Sequence, residues 1–253
     1  MVPIGISLLA FILALIGILL GSVMQTRLPE EQLTSGSKDV IKLGISVVAM
    51  LAALVLGLLV ASAKSTYDAR KSEIAQFTAD VMLLDYLFVE YGDQSRVARA
   101  ALRQAIAQGV EKIWIEGRSV PSHPRPFTST AEGEAFYQRV QDLRPTNDTQ
   151  RALYSRIVKI TDDLMQTRFL FFSHHRSSIP LPFLAVLLLW MIVLFVGFSL
   201  MEPANATTLA SLIVCALSVS AAIFLILELD QPFGGIMMIP SEPLRNALLP
   251  LNS

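Results

Sequence analysis

Charge is scarce in this chain: Asp, Glu, Lys and Arg make up 16% of its 253 residues, where soluble domains carry roughly 25%. Cysteine occurs once, at Cys215, so no internal disulfide can form. Inside an apolar run a lone cysteine reads as a small packing residue. There is no Walker loop, no HExxH, no CxxC and no GxSxG. His174 and His175 are adjacent, so on a helix they point about 100° apart and suit one metal ion badly. Enzyme chemistry therefore has no positive support, and neither a metal nor a cofactor is expected. A formal net charge of −1 gives no basic field for nucleic acid. No Lys or Arg precedes Arg27, and the first apolar run exceeds the roughly 7–15 residues of a signal-peptide core, so it reads as a retained membrane helix.

What the chain has in excess is apolar side chains, at 53%. They concentrate in four runs, about 2–24, 41–63, 181–201 and 205–227. Each approaches or exceeds the ~20 residues that cross about 30 Å of hydrocarbon. Backbone amides in lipid must bond within their own segment, so these runs should be helices. The expected fold is an all-α integral membrane protein with four transmembrane helices, a helical cytoplasmic domain between helices 2 and 3, and an oligomeric assembly. The expected divisions are 1–63 (helices 1 and 2), 64–180 (cytoplasmic domain), 181–230 (helices 3 and 4) and 231–253 (a C-terminal segment packed on the cytoplasmic domain). Lys64, Arg70 and Lys71 follow the second run, Arg168 and Arg176 precede the third, and Glu202-Pro203-Ala204 carries no basic residue. By the positive-inside rule, residues 64–180 and both termini face the cytoplasm. The mixed charges of the 25–40 loop weaken that orientation without reversing it.

The middle segment reads as helical. Ile74, Phe77, Val81, Leu84, Phe88 and Tyr91 recur at three- and four-residue spacing. Neither Pro nor Gly interrupts 64–91, so the second membrane helix is expected to continue as one rod. A further helix is expected from about Gln94 to Ile115, with Val97, Leu102, Ile106, Val110 and Ile113 inward. A proline-rich loop spans 117–130, and a short helix lies around 132–143. In "NDTQ", Asn147 is placed as N-cap with Gln150 three residues on. Asp80 falls among Phe77, Leu84 and Leu87; a buried carboxylate needs a partner or it neutralises. Arg99, Arg103, Arg151 and Arg168 are available to it. A structural salt bridge and a site for a regulatory ligand are both open readings of Asp80.

Two stripes of small residues, Ala10-Ala14-Gly17-Gly21 and Ala49-Ala53-Gly57-Ala61, allow close helix approach. On the second helix Lys42, Ser46, Ala49, Ala53, Gly57, Val60 and Lys64 share an arc of roughly 80°. Lys42 and Lys64 are about 33 Å apart along a helix. In an oligomer this face would make a pore with basic mouths and an apolar middle, which favours anions. The plainer alternatives are helix packing and lysines that reach for the interface.

The stretches "LPEEQL" (28–33), "SKDVIKLG" (37–44), "LVLGLLVASAKS" (54–65), "NDTQRAL" (147–153), "SSIPLPFL" (177–184) and "VCALSVSAAIFLILELDQPF" (214–233) resemble a group of bacterial membrane proteins called bestrophin-like. The E-x-D-x-P-F-G at the end of the fourth run is similar to the sequence that follows the last membrane helix of bestrophins. That resemblance covers nearly the whole chain. It implies a homo-oligomeric, pentameric anion channel in the bacterial inner membrane, permeable to inorganic anions such as chloride, with a pore lined by the second helix. It also offers a second pore face, a bulky neck at Leu51, Leu54, Val55 and Leu58; both faces cannot line one pore. Glu228 and Asp230 are expected to anchor the C-terminal segment by pairing with Lys64, Arg70 or Arg168, while Pro232, Phe233 and Gly234 break the helix. A cation bound by the two carboxylates is the rival reading. It is disfavoured because "GIMMIPSEPLR" supplies few of the six or more oxygens a hard cation wants. The rival to a channel is a non-conducting scaffold or sensor whose cytoplasmic domain binds a protein or small ligand.

Overall fold

The computed structural model describes residues 2–27, 35–111, 131–173, 181–201, 205–233 and 235–247. Loop 117–130, His174, His175, Arg176, the 202–204 turn and Gly234 lie outside the described residues. Every regular element described is helical: α1 (Val2–Arg27), α2 (Ser35–Tyr91), α3 (Arg96–Glu111), α4 (Ala131–Gln141), α5 (Asp148–Ser173), α6 (Leu181–Met201), α7 (Ala206–Leu229) and α8 (Glu242–Ala247). Four of them, α1, α2, α6 and α7, are long and apolar enough to cross a membrane. The chain separates into two compact units, Met1–Tyr67 with Ser177–Gln231, and Asp68–Arg176 with Pro232–Ser253. The first half of α2 belongs to one unit and its second half to the other.

In the first unit α1 packs on α6 and α7. Ala10 and Ala14 are fully buried. A β-carbon on Gly17 would come within 3.1 Å of the Ile192 carbonyl oxygen. One on Gly21 would come within 2.5 Å of the Val196 carbonyl oxygen and 2.7 Å of Ser199 Cβ. The small stripe of α1 is thus what lets the two backbones meet. The contact carries its own polar bonds. Ser199 Oγ donates to the Ile18 carbonyl at 2.8 Å and lies 2.8 Å from the Ser22 hydroxyl. Ser220 Oγ of α7 donates to the Ser7 carbonyl at 2.5 Å. By contrast, between Lys38 and Tyr67 α2 is buried only at Ile45, Ala52, Leu59 and Ala63. These positions repeat at seven and four residues, which defines one narrow seam. A side chain on Gly197 of α6 would overlap Ile45, so glycine makes room for the upper end of that seam.

In the second unit Ile74, Val81, Leu84, Phe88 and Tyr91 of α2 turn inward. Phe88 meets Phe136 of α4 edge-on, with ring centroids 6.3 Å apart. Ala98, Leu102, Ile106 and Val110 form the inner face of α3, whereas Val97 is 59% exposed. The expected inward position is therefore one residue out of phase, because an unbroken four-residue spacing begins at Ala98. Helix α2 stops at Gly92, whose φ of 100° suits a residue without a side chain. Ser95 Oγ donates to the Phe88 and Gly92 carbonyls at 2.5 and 2.7 Å, closing the turn. The N-terminus of α5 is capped as its sequence requires, with the Gln150 N–H donating to Asn147 Oδ1 at 2.7 Å. The Gln150 side chain reaches back to the Thr146 N–H at 2.9 Å and donates to the Tyr91 carbonyl at 3.1 Å. One residue thereby fastens the start of α5 to the end of α2. After α7, the Ile239 N–H donates to the Pro232 carbonyl at 2.8 Å. Ile239, Leu244 and Ala247 are buried, and α8 packs near α3.

Candidate functional site

Helix α2 is the least covered of the four spans. Of its most apolar window 17% is buried, against 33% for α1 and α6 and 22% for α7. The lysine-ended face lies about 100° round the helix from the buried seam. Lys42, Ser46, Ala53, Gly57, Val60 and Lys64 are exposed, and Ala49 is half-buried. A β-carbon on Gly57 would meet nothing within 4 Å. Ser46 Oγ donates to the Lys42 carbonyl at 2.8 Å, which keeps its proton on its own backbone. Lys64 Nζ stands 5.7 Å from the Tyr67 ring centre, within cation–π range. On the alternative neck, Leu51, Leu54 and Leu58 are exposed, while Val55 packs partly against the unit's own core.

Glu228 is 3% exposed and Asp230, at the C-cap of α7, is half-buried. Pro232 and Phe233 are half-buried, and α7 ends before the proline, as the restriction on residues preceding proline demands. Arg70 Nη1 pairs with Glu73 at 3.0 Å. Among the described residues no group of three or more His, Cys, Asp or Glu side chains could hold a metal ion.

Among the described residues of the second unit, Asp85 is a buried carboxylate in an ion pair, with Arg99, and Asp80 is held by a neutral partner. Asp85 is 7% exposed and receives Arg99 as a fork, Nε to Oδ1 at 2.5 Å and Nη2 to Oδ2 at 3.3 Å. Asp80 is only half-buried and accepts a hydrogen bond from Gln76 at 3.0 Å. Burial pushes its carboxyl above the ordinary value; the Gln76 bond opposes that, and the charge of Asp163 adds to it. Arg151, another expected partner, sits on Asp148 at 2.7 Å. The signal for Asp85 was in the sequence: it follows Val81 by four residues and precedes Phe88 by three, inside the inward stripe.

Four apolar spans and an all-helical second unit define a multi-pass α-helical membrane protein. A family model, the Bestrophin-like domain, matches residues 9–244. The chain belongs to the Bestrophin-like family. Its fold is similar to that of a bacterial bestrophin homologue from Klebsiella pneumoniae, solved as a point mutant: TM-score 0.58, 16% identity, covering 98% of this chain and 97% of that one. No curated protein matches this chain.

Proposed function

We propose that this chain is the subunit of a passive, anion-preferring channel, with several copies arranged so that the lysine-ended face of α2 surrounds the pore. The observation that supports it most is the bareness of α2: a long apolar helix held to its own subunit by one narrow seam. Lys42 and Lys64 would supply basic rings at the two mouths, with Ala49, Ala53, Gly57 and Val60 between them and Ser46 inside the first ring. Cationic mouths and an apolar middle favour anions such as chloride and gate by dewetting. Leu51, Leu54 and Leu58, with Val55, make the competing constriction; each face has one half-buried member, Val55 on this one and Ala49 on the other. By family resemblance the assembly is a pentamer in the bacterial inner membrane, with both termini and residues 64–180 in the cytoplasm. No catalytic step is part of this reading.

Liposomes holding the purified protein, under separate chloride and sodium gradients, test it. Current that reverses near the chloride potential is the expected result. Sealed liposomes with an intact oligomer would favour a scaffold or sensor. Thiol labelling of Ser46→Cys and Gly57→Cys in a Cys215→Ala background separates the two again. A water-filled pore makes both reactive, and a protein-buried face makes neither.

A further inference from the structure

The two lysines that end the long face of α2 stand in different surroundings. From Ser35 to Thr66 the helix contains no aromatic residue, so its own sequence offers the Lys42 ammonium no ring. Tyr67 is the first ring of α2, and Lys64 Nζ stands over it. At 100° per residue Tyr67 lies about 60° round the helix from Lys64 and about 40° from Ala63. It is therefore on the flank between the lysine-ended face and the buried seam, to which Ala63 belongs. Tyr67 is half-buried and packs against the core of the first unit. Packing fixes the ring, whereas a lysine carries its charge on a flexible four-carbon stem. An aromatic face attracts an ammonium while bearing no net charge, so it holds the cation and leaves its field intact. A carboxylate would hold the cation and cancel that field. Asp68, exposed and four residues after Lys64, has the spacing of a helical ion pair and is placed to compete with the ring.

We propose that Tyr67 is a positioning residue: its anchored ring holds the Lys64 ammonium at one mouth of the pore, which makes Lys64, rather than Lys42, the main source of anion preference. This rests on the channel reading. The readout is the chloride-to-sodium permeability ratio of the full-length protein in liposomes, with the oligomer verified intact. Lys64→Gln should lower the ratio more than Lys42→Gln. Tyr67→Leu, which keeps apolar bulk at the site, should lower it roughly two- to five-fold, the factor carried by an exposed cation–π contact. In a Lys64→Gln background it should lower it no further. Tyr67→Phe should keep the wild-type ratio, and a trifluorinated phenylalanine at the same position should lose it, because fluorine removes the negative face of the ring at almost unchanged size. A second measurement needs no conduction. In protein with dimethylated lysines, the signal that Lys64→Gln removes should lie upfield through the ring current in wild type and Tyr67→Phe, and should move back in Tyr67→Leu. A ratio unchanged by Tyr67→Leu or by the fluorinated ring, with Lys64→Gln still lowering it, overturns the role of Tyr67 and leaves the channel reading in place. So does an additive loss in the double variant, an effect of Lys42→Gln as large as that of Lys64→Gln, or a Lys64 signal that Tyr67→Leu does not move. Sealed liposomes holding an intact oligomer overturn the channel reading and the proposal together.

Discussion

The stripes Ala10-Ala14-Gly17-Gly21 and Ala49-Ala53-Gly57-Ala61 have similar helical spacing, at steps of three and four and of four, and are built from alanine and glycine alone, and the structure treats them oppositely. On α1 the stripe is consumed inside the subunit: Ala10 and Ala14 have no exposed surface, and Gly21 lies against the α6 backbone. On α2 three of the four positions are exposed and Gly57 has open space where a side chain would go. Small residues at three- and four-residue spacing therefore report that something can come close, not what comes close or from which molecule. The neighbours decide it: α6 brings Ser199 and a matching hydroxyl bond to α1, whereas Ala53, Gly57 and Ala61 of α2 are exposed.

The widest test of that contrast is size. Gly21→Leu should destabilise the folded subunit by about 3 kcal/mol or more through overpacking, read as a lowered unfolding midpoint in detergent. Gly57→Leu should leave that midpoint unchanged but cut chloride flux. Equal destabilisation by the two would erase the difference between the stripes. Next in size, Ser199→Ala removes the bonds to Ile18 and Ser22 and should cost about 0.6 kcal/mol, the average for polar bonds between membrane helices; no change would mean that the α1–α6 contact is held by packing alone. Lys42→Glu should leave stability untouched and move the reversal potential away from chloride. An unmoved potential would take Lys42 off the pore. The smallest effect belongs to Asp80, outside both stripes. Its folded carboxyl is raised by burial, so the charged form opposes folding, and the penalty is absent below pH 3.8 and complete above the folded value. Asp80→Asn should raise stability at neutral pH, and the gain should vanish at acid pH. A gain that persists in acid would assign it to something other than charge.

The four spans could be read from sequence because a run of about 20 apolar residues has few other uses. The continuity of α2 through 64–91 could be read because no proline or glycine stops it, and the Asn147–Gln150 cap because its hydrogen bonds are local. Two inward positions differ from the sequence reading: Ala98 takes the place of Val97, one residue on, and Asp85 that of Asp80, five residues on and about 140° round the helix. A phase error of one residue rotates a side chain by about 100°, enough to exchange core for surface. What covers α2 could not be read at all, since sequence spacing describes one helix and says nothing of its partner.

The bonds that complete the first unit also set an order of events. Ser199 reaches back 181 residues to Ile18, and Ser220 reaches back 213 to Ser7. At a synthesis rate of about 5–20 residues per second, the first helix waits roughly 10–40 s before the helices that cover it exist. Throughout that interval its glycines and alanines stand bare in the bilayer, open to any other close-packing helix, including α2 of its own chain. The single narrow seam by which α2 holds to its unit makes it a weak competitor. A nascent chain can therefore keep its first helix uncommitted until α6 arrives with the serine that locks it.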